Sequence, residues 1–370
     1  MLGVAFRRRR HVRHHPEIEG LSPGYFALVM GTGIVSIGLH EVGASAASSV
    51  LLVIAALAYV VLWVLYVWRA IAYPHAVQRD LRNPETAFAY FTIVAATDVL
   101  AVRLVLVGLV AVAVPLVVVG AALWFVFGYL LPWQVLMTRD GGRILARTNG
   151  TWFIWAVASQ SLAVAMTVIH PHVTTGQAWV GILAVLSWSV GVALYGGVGV
   201  LVLLRIVHFG ITPREFEPPY WVAMGAMAIA VVAGSNIVAM GSTPMVDATR
   251  ALIAGTVAVF WSFCLWLVPV LVGAGFWRHV VHRVPLVYVP TLWSIVFPVG
   301  MFAVASLNLG RVDRLPLVES LGKVALGIAL LVWAVVLVAM LRHVALATWR
   351  GRGVVRGDRE NERDASPSDA

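Results

Sequence analysis

The chain has 370 residues, of which 61% are hydrophobic and 12% charged, with a single cysteine and a formal charge of +9. Soluble domains average about 45–50% apolar and roughly 25% charged residues, so this composition, with a mean hydropathy of +0.90, excludes an ordinary soluble fold and indicates a polytopic membrane protein. One cysteine, Cys264, leaves no disulfide framework or cysteine-based metal cluster, and neither a cofactor nor a nucleic-acid partner is expected.

A membrane helix needs about 20 mostly apolar residues. Ten such runs follow one another: Ser22–His40, Ala47–Trp68, Phe88–Gly108, Ala111–Leu136, Asn149–His170, Ala178–Val207, Tyr220–Gly241, Ala248–Gly275, Val287–Leu309 and Leu317–Leu341. They define a transmembrane domain over residues 21–347. It is flanked by a basic tail over 1–20 and a second tail over 348–370, whose Asp, Glu, Ser and Pro content predicts disorder.

The basic residues fix the orientation. With this helix count only Arg250, Arg311, Arg314 and Lys323 fall on the side away from the N-terminus, Arg103 lies inside a span, and every other arginine sits with the two termini. Positive charge accumulates on the cytoplasmic side of an inner membrane, so both termini are predicted to be cytoplasmic. Three connections on the far side are short, and the chain therefore reads as five tandem helical hairpins. No residue-level repeat accompanies them.

Polar groups in hydrocarbon must be paired or face a cavity. The second and tenth spans are almost wholly aliphatic and are expected to face lipid. The odd-numbered spans carry Gly31, Thr32 and Gly33, then Thr97 and Asp98, then Ser159 and Gln160, then Asn236, then Ser294 and Pro298. This distribution predicts odd helices inside, lining a central pore with these residues, and even helices outside. Asp98 is the single acidic residue at mid-membrane and is the candidate for proton coupling. Arg103, five residues on and about 140° away around the helix, is a candidate for anion attraction at the exit or for snorkelling outward. Pro298, Pro269 and the Gly196–Gly199 run are expected to break helices or pack them closely. No histidine pair suits haem, and no catalytic or nucleotide-binding motif occurs, so an enzyme or a membrane redox subunit is disfavoured.

Pro23-Gly24-Tyr25-Phe26-Ala27-Leu28-Val29-Met30-Gly31-Thr32-Gly33-Ile34 resembles the first-helix signature of the tellurite-resistance/dicarboxylate transporter family, which includes fungal malate permeases, sulfite efflux pumps and plant slow anion channels. Asn149–Phe153, Pro218–Ala226 and Trp293–Gly300 are similar to its fifth, seventh and ninth helices. The resemblance implies a pore within each protomer, often of a homotrimer, and a ninth-helix phenylalanine that occludes it, here Phe297. It implies passage of small anions, with C4-dicarboxylates such as malate first. Sulfite or tellurite-type oxyanions and halide or nitrate are the alternatives.

Overall fold

A computed structural model describes residues 15–137, 143–312 and 314–364. Its ten membrane-length helices are α1 (Pro23–Glu41), α2 (Ser45–Ala72), α3 (Ala87–Val105), α4 (Val110–Leu136), α5 (Gly150–His172), α6 (Gln177–Phe209), α7 (Pro218–Ala239), α8 (Pro244–Val281), α9 (Pro290–Val312) and α10 (Pro316–Leu346). The described residues contain no strand. This is an all-α polytopic membrane protein, with the ten spans expected from sequence.

Each odd helix packs on the next odd helix, and α9 returns to α1, closing an inner ring of five. Every even helix packs against the odd helix before it as a hairpin and also touches the odd helix after it. Of the most apolar stretch of each helix, 78–94% is buried in the odd helices and 17–28% in the even ones, so the inner and outer rings are distinct.

Local sequence explains the inner ring's geometry. All five odd helices enter through a 3-10 turn: Pro23–Phe26, Ala87–Tyr90, Gly150–Trp152, Pro218–Trp221 and Pro290–Leu292. Proline at the first helical position of three of them presets the backbone where an amide donor has no partner anyway. The Ser22 and Asn149 side chains accept from the Gly24 and Thr151 amides and cap two of these turns.

At each junction between successive hairpins an aromatic side chain of the outer ring makes a polar bond to the inner ring. Tyr59 of α2 bonds Thr97 of α3 at 2.9 Å, and Trp124 of α4 donates to Ser159 of α5 at 2.8 Å. Trp188 of α6 donates to the Ala230 carbonyl of α7, Trp261 of α8 to Ser306 of α9, and Trp333 of α10 to Thr32 of α1, each at 3.0 Å. An aromatic ring spans the gap between helices with apolar surface and still satisfies a buried hydroxyl or carbonyl at its polar edge.

Several expectations are corrected. The helices run unbroken through Pro269 and Pro298. Gly196, Gly197 and Gly199 do not mediate close packing, because a β-carbon added there would meet nothing within 4 Å. The last helix is described as far as Asp364. Residues 1–14 of the expected N-terminal tail lie outside the described residues.

Candidate functional site

The inner ring encloses two cavities. On the face away from the N-terminus, a cavity of about 230 Å³ takes three residues from each odd helix, always at the spacing i, i+3, i+7 that keeps side chains on one helical face. Ile34, Val99, Ser161, Ile229 and Met301 form its deepest layer. Ile37, Val102, Val164, Val232 and Val304 form the next, and Glu41, Leu106, Val168, Asn236 and Asn308 form the mouth.

The same register holds on the arginine-rich face. Gly24, Ala89, Thr151, Pro219 and Thr291, each ten residues before a member of the deepest layer, line a second cavity of about 180 Å³. Thr92, Ile154 and Ser294 line its floor, and Glu85, Asn149 and Glu217 its rim.

Between the cavities the helices close on one another. The residues four before the deepest layer are Met30, Ala95, Val157, Gly225 and Phe297, and all are buried. Phe297 stands three residues after Ser294 of one cavity and four before Met301 of the other, so the three share a helical face, and its side chain is 1% exposed. Gly225 is small for a packing reason, since a β-carbon there would press on Pro298 Cγ at 2.8 Å.

Of the expected pore-lining set, Asn236 and Ser294 line the two cavities. The others turn elsewhere. Thr32, Thr97 and Ser159 are taken up in the aromatic bonds to the outer ring. Gln160 donates to the Trp188 carbonyl at 3.1 Å and lies against Gly191 of α6. Gly31 and Gly33 let α1 approach Val296 of α9 and Val99 of α3, with β-carbons that would sit 3.1 and 2.6 Å away. Pro298 packs against Gly225. A hydroxyl at mid-membrane is satisfied equally by a cavity or by a neighbouring helix, and here the neighbouring helix is the partner.

Asp98 also points outward. One carboxylate oxygen accepts from Ser161 at 2.7 Å, and the other lies against Gly120 of α4 without a hydrogen-bond donor. Asp98 meets the cavity only through Ser161, which lines it. Arg103 does not snorkel. It is 1% exposed and donates to Ser36 and Ser48, at 2.9 and 2.7 Å, between α1 and α2, while Nη1 has no partner.

The arginines on the N-terminal face are partly structural. Arg69 pairs with Asp80 at 2.6 Å and bonds the Tyr90 hydroxyl, Arg205 holds the Gly210 carbonyl and Glu215, and Arg278 ties down the carbonyls of Pro213 and Arg214. The carboxyl of Glu217, on the rim of the cavity, is pushed up from the usual range by burial, against the pull of Arg278 and with a further push from Glu85.

Sequence reasoning missed Glu41, Asn308 and the aliphatic layers. Their signal was the i, i+3, i+7 register shared by five helices, which is legible only once the helices are aligned by depth.

A family model described as a voltage-dependent anion channel (SLAC1) matches residues 20–341. Two uncharacterized transporters of Methanocaldococcus jannaschii are 23% and 22% identical to the chain over 349 and 341 residues, covering 88% of the chain in each case and 94% and 96% of the transporters. An uncharacterized membrane protein of Mycobacterium tuberculosis is 51% identical over 157 residues, which is 42% of this chain and 80% of that protein.

Proposed function

The chain belongs to the voltage-dependent anion channel family, and we propose that it passes small monovalent inorganic anions, such as chloride or nitrate, along the axis of its inner ring, with Phe297 as the steric gate. One observation carries this reading: among the described residues, no Arg, Lys or His side chain lines either cavity. Within the two cavities an anion is held by hydroxyls, amides and backbone dipoles, while Arg147 and Arg205 line an adjoining pocket that shares Glu85, Asn149, Glu217 and Pro219 with the cavity rim. The sites within the cavities are weak enough to release it.

The same observation ranks the substrates. The cost of taking an ion out of water grows with the square of its charge, and a dianion with no cation beside it meets that cost uncompensated. C4-dicarboxylates, first by resemblance, therefore stand behind monovalent anions, as do sulfite or tellurite-type oxyanions in their doubly charged forms.

Favourable potential comes from around the path. The amino ends of five helices surround the cavity on the arginine-rich face, and helix amino ends carry partial positive charge. Buried Arg103, without a carboxylate partner, lies one residue beyond Val102 of the other cavity's wall and adds positive potential from behind it. Arg103→Gln should lower the preference for anions over cations. By charge asymmetry the arginine-rich face is cytoplasmic and the protein resides in the inner membrane. A homotrimer with one path per protomer, implied by the resemblance, is testable by native mass measurement in detergent.

The deciding experiment is flux through purified protein in planar bilayers or proteoliposomes, comparing chloride, nitrate and malate. Chloride and nitrate should permeate well ahead of malate. Malate flux equal to chloride would overturn the ranking, and no flux of any anion would overturn the channel reading.

A further inference from the structure

We propose that Glu41, paired with Asn308 and Arg311 at the mouth on the face away from the N-terminus, is a proton-sensitive selectivity residue of the path. This inference rests on the anion-channel reading above.

Glu41 is the last residue of α1 and belongs to the outermost of the three cavity layers, with Leu106, Val168, Asn236 and Asn308. Among the described residues it is the one charged side chain lining that cavity. An anion that has crossed the aliphatic layers must therefore pass a carboxylate before reaching solvent. The side chain is only 16% exposed, so its charge is poorly screened by water.

Its partners all come from the last two helices. Arg311 approaches the carboxylate at 3.6 Å and donates to the Glu41 main-chain carbonyl at 2.8 Å. Asn308, with its amide turned to satisfy both groups, donates to the two carboxylate oxygens at 3.2 and 3.3 Å. Arg311 is shared with Glu319 of α10 at 3.9 Å, and Glu319 is in turn held by Lys323 at 2.9 Å. The other elements bring no further charge to Glu41 among the described residues. The α3 side of the cavity is Val99, Val102 and Leu106, Arg103 faces Ser36 and Ser48, and α7 presents Asn236.

The chain of charges therefore alternates, acid, base, acid, base, and is neutral while Glu41 is ionised. When Glu41 takes a proton from the solvent on its own side, the balance becomes positive. The guanidinium of Arg311 then keeps only Glu319 and is free to face the mouth. Repulsion of a leaving or entering anion is replaced by attraction at one point in the path. The cavity below has no charge of its own to mask the change.

The test is planar-bilayer recording of chloride current with the two compartments acidified one at a time from about pH 8 to about pH 5, a span that brackets a perturbed carboxylate. Acid on the Glu41 side should raise the current by about tenfold, equivalent to ~1.4 kcal/mol of charge interaction. Glu41→Gln should carry the raised current at every pH on that side. Arg311→Gln, which leaves the carboxylate in place with no guanidinium, should carry less current than wild type at about pH 8 and respond to acid in the same direction. If Glu41→Gln conducts yet keeps the full response to acid on that side, the inference is overturned while the channel reading stands. If Glu41→Gln does not fold, an Arg311→Gln current equal to wild type at every pH overturns it instead. Absence of chloride current in the wild type overturns the channel reading itself.

Discussion

Trp333 donates its indole N–H to the Thr32 hydroxyl at 3.0 Å across 301 residues of sequence, joining the last membrane helix to the first. Four equivalent aromatic bonds join the other hairpins, so this contact completes the circuit of the two rings rather than marking a pore wall.

A double-mutant cycle with Thr32→Val and Trp333→Phe should show a coupling of about 0.6 kcal/mol and at most about 1.7, the average and maximum for interhelical hydrogen bonds in membranes. Thermal unfolding in detergent reads it. Anion selectivity should be unchanged in Thr32→Val, and a changed permeability sequence at wild-type stability would return Thr32 to the path.

Phe297→Ala should raise chloride conductance by at least about tenfold, because the layer between the cavities would then hold only Met30, Ala95, Val157, Gly225 and an alanine. Loss of a fully buried phenyl also costs stability, about 3–5 kcal/mol in a tightly packed core. Phe297→Leu separates the two effects. Conductance that grows with the space removed, measured on protein that remains monodisperse, supports the gate. Unaltered conductance in both variants assigns Phe297 to packing alone.

Gly120→Ala should be strongly destabilising, by about 1–3 kcal/mol or more, because its methyl would collide with the Asp98 carboxylate. Asp98→Asn should relieve the carboxylate oxygen that lacks a donor and leave the proton dependence of flux in place, since Asp98 stands behind Ser161. Flux that loses its response to a pH gradient in Asp98→Asn would restore Asp98 as the coupling group.

Glu217 gives a pH dependence of opposite sign to that of an ion-paired carboxylate. Its carboxyl is raised by burial, so the folded protein binds the proton more readily than the unfolded chain. Stability therefore falls as pH rises from the ordinary carboxylate range through the raised value, and Glu217→Gln should remove that slope. The gain at neutral pH should be well under ~1 kcal/mol, because the group is partly solvated and screened. Urea unfolding at several pH values measures it, and a variant with the wild-type slope would assign the dependence to another group.

The ten spans, their hairpin pairing and the division into odd inner and even outer helices were legible in the sequence, because each depends on quantities that a linear chain carries: apolar length, loop length and arginine placement. The depth of Phe297, between the two cavities, was also legible, whereas its role as a gate is a proposal. The roles of the polar residues were not legible. Thr32, Thr97 and Ser159 sit at the right depth for a pore wall, yet depth does not specify azimuth. A rotation of about 100° per residue separates a side chain that lines a cavity from one that meets the next helix.

Composition and charge pattern by themselves determined that this chain crosses a membrane ten times and carries most of its basic residues on one face, since hydrocarbon admits only long apolar helices and charge asymmetry orients them. Only the tertiary structure decided which face of each odd helix looks inward. That choice rests on the aromatic bonds from the outer ring and on glycines such as Gly31, Gly33 and Gly225, whose missing side chains let particular neighbours approach. The two resulting cavities differ, one walled by aliphatic layers with Glu41 at its mouth and the other by hydroxyl-bearing residues among helix amino ends.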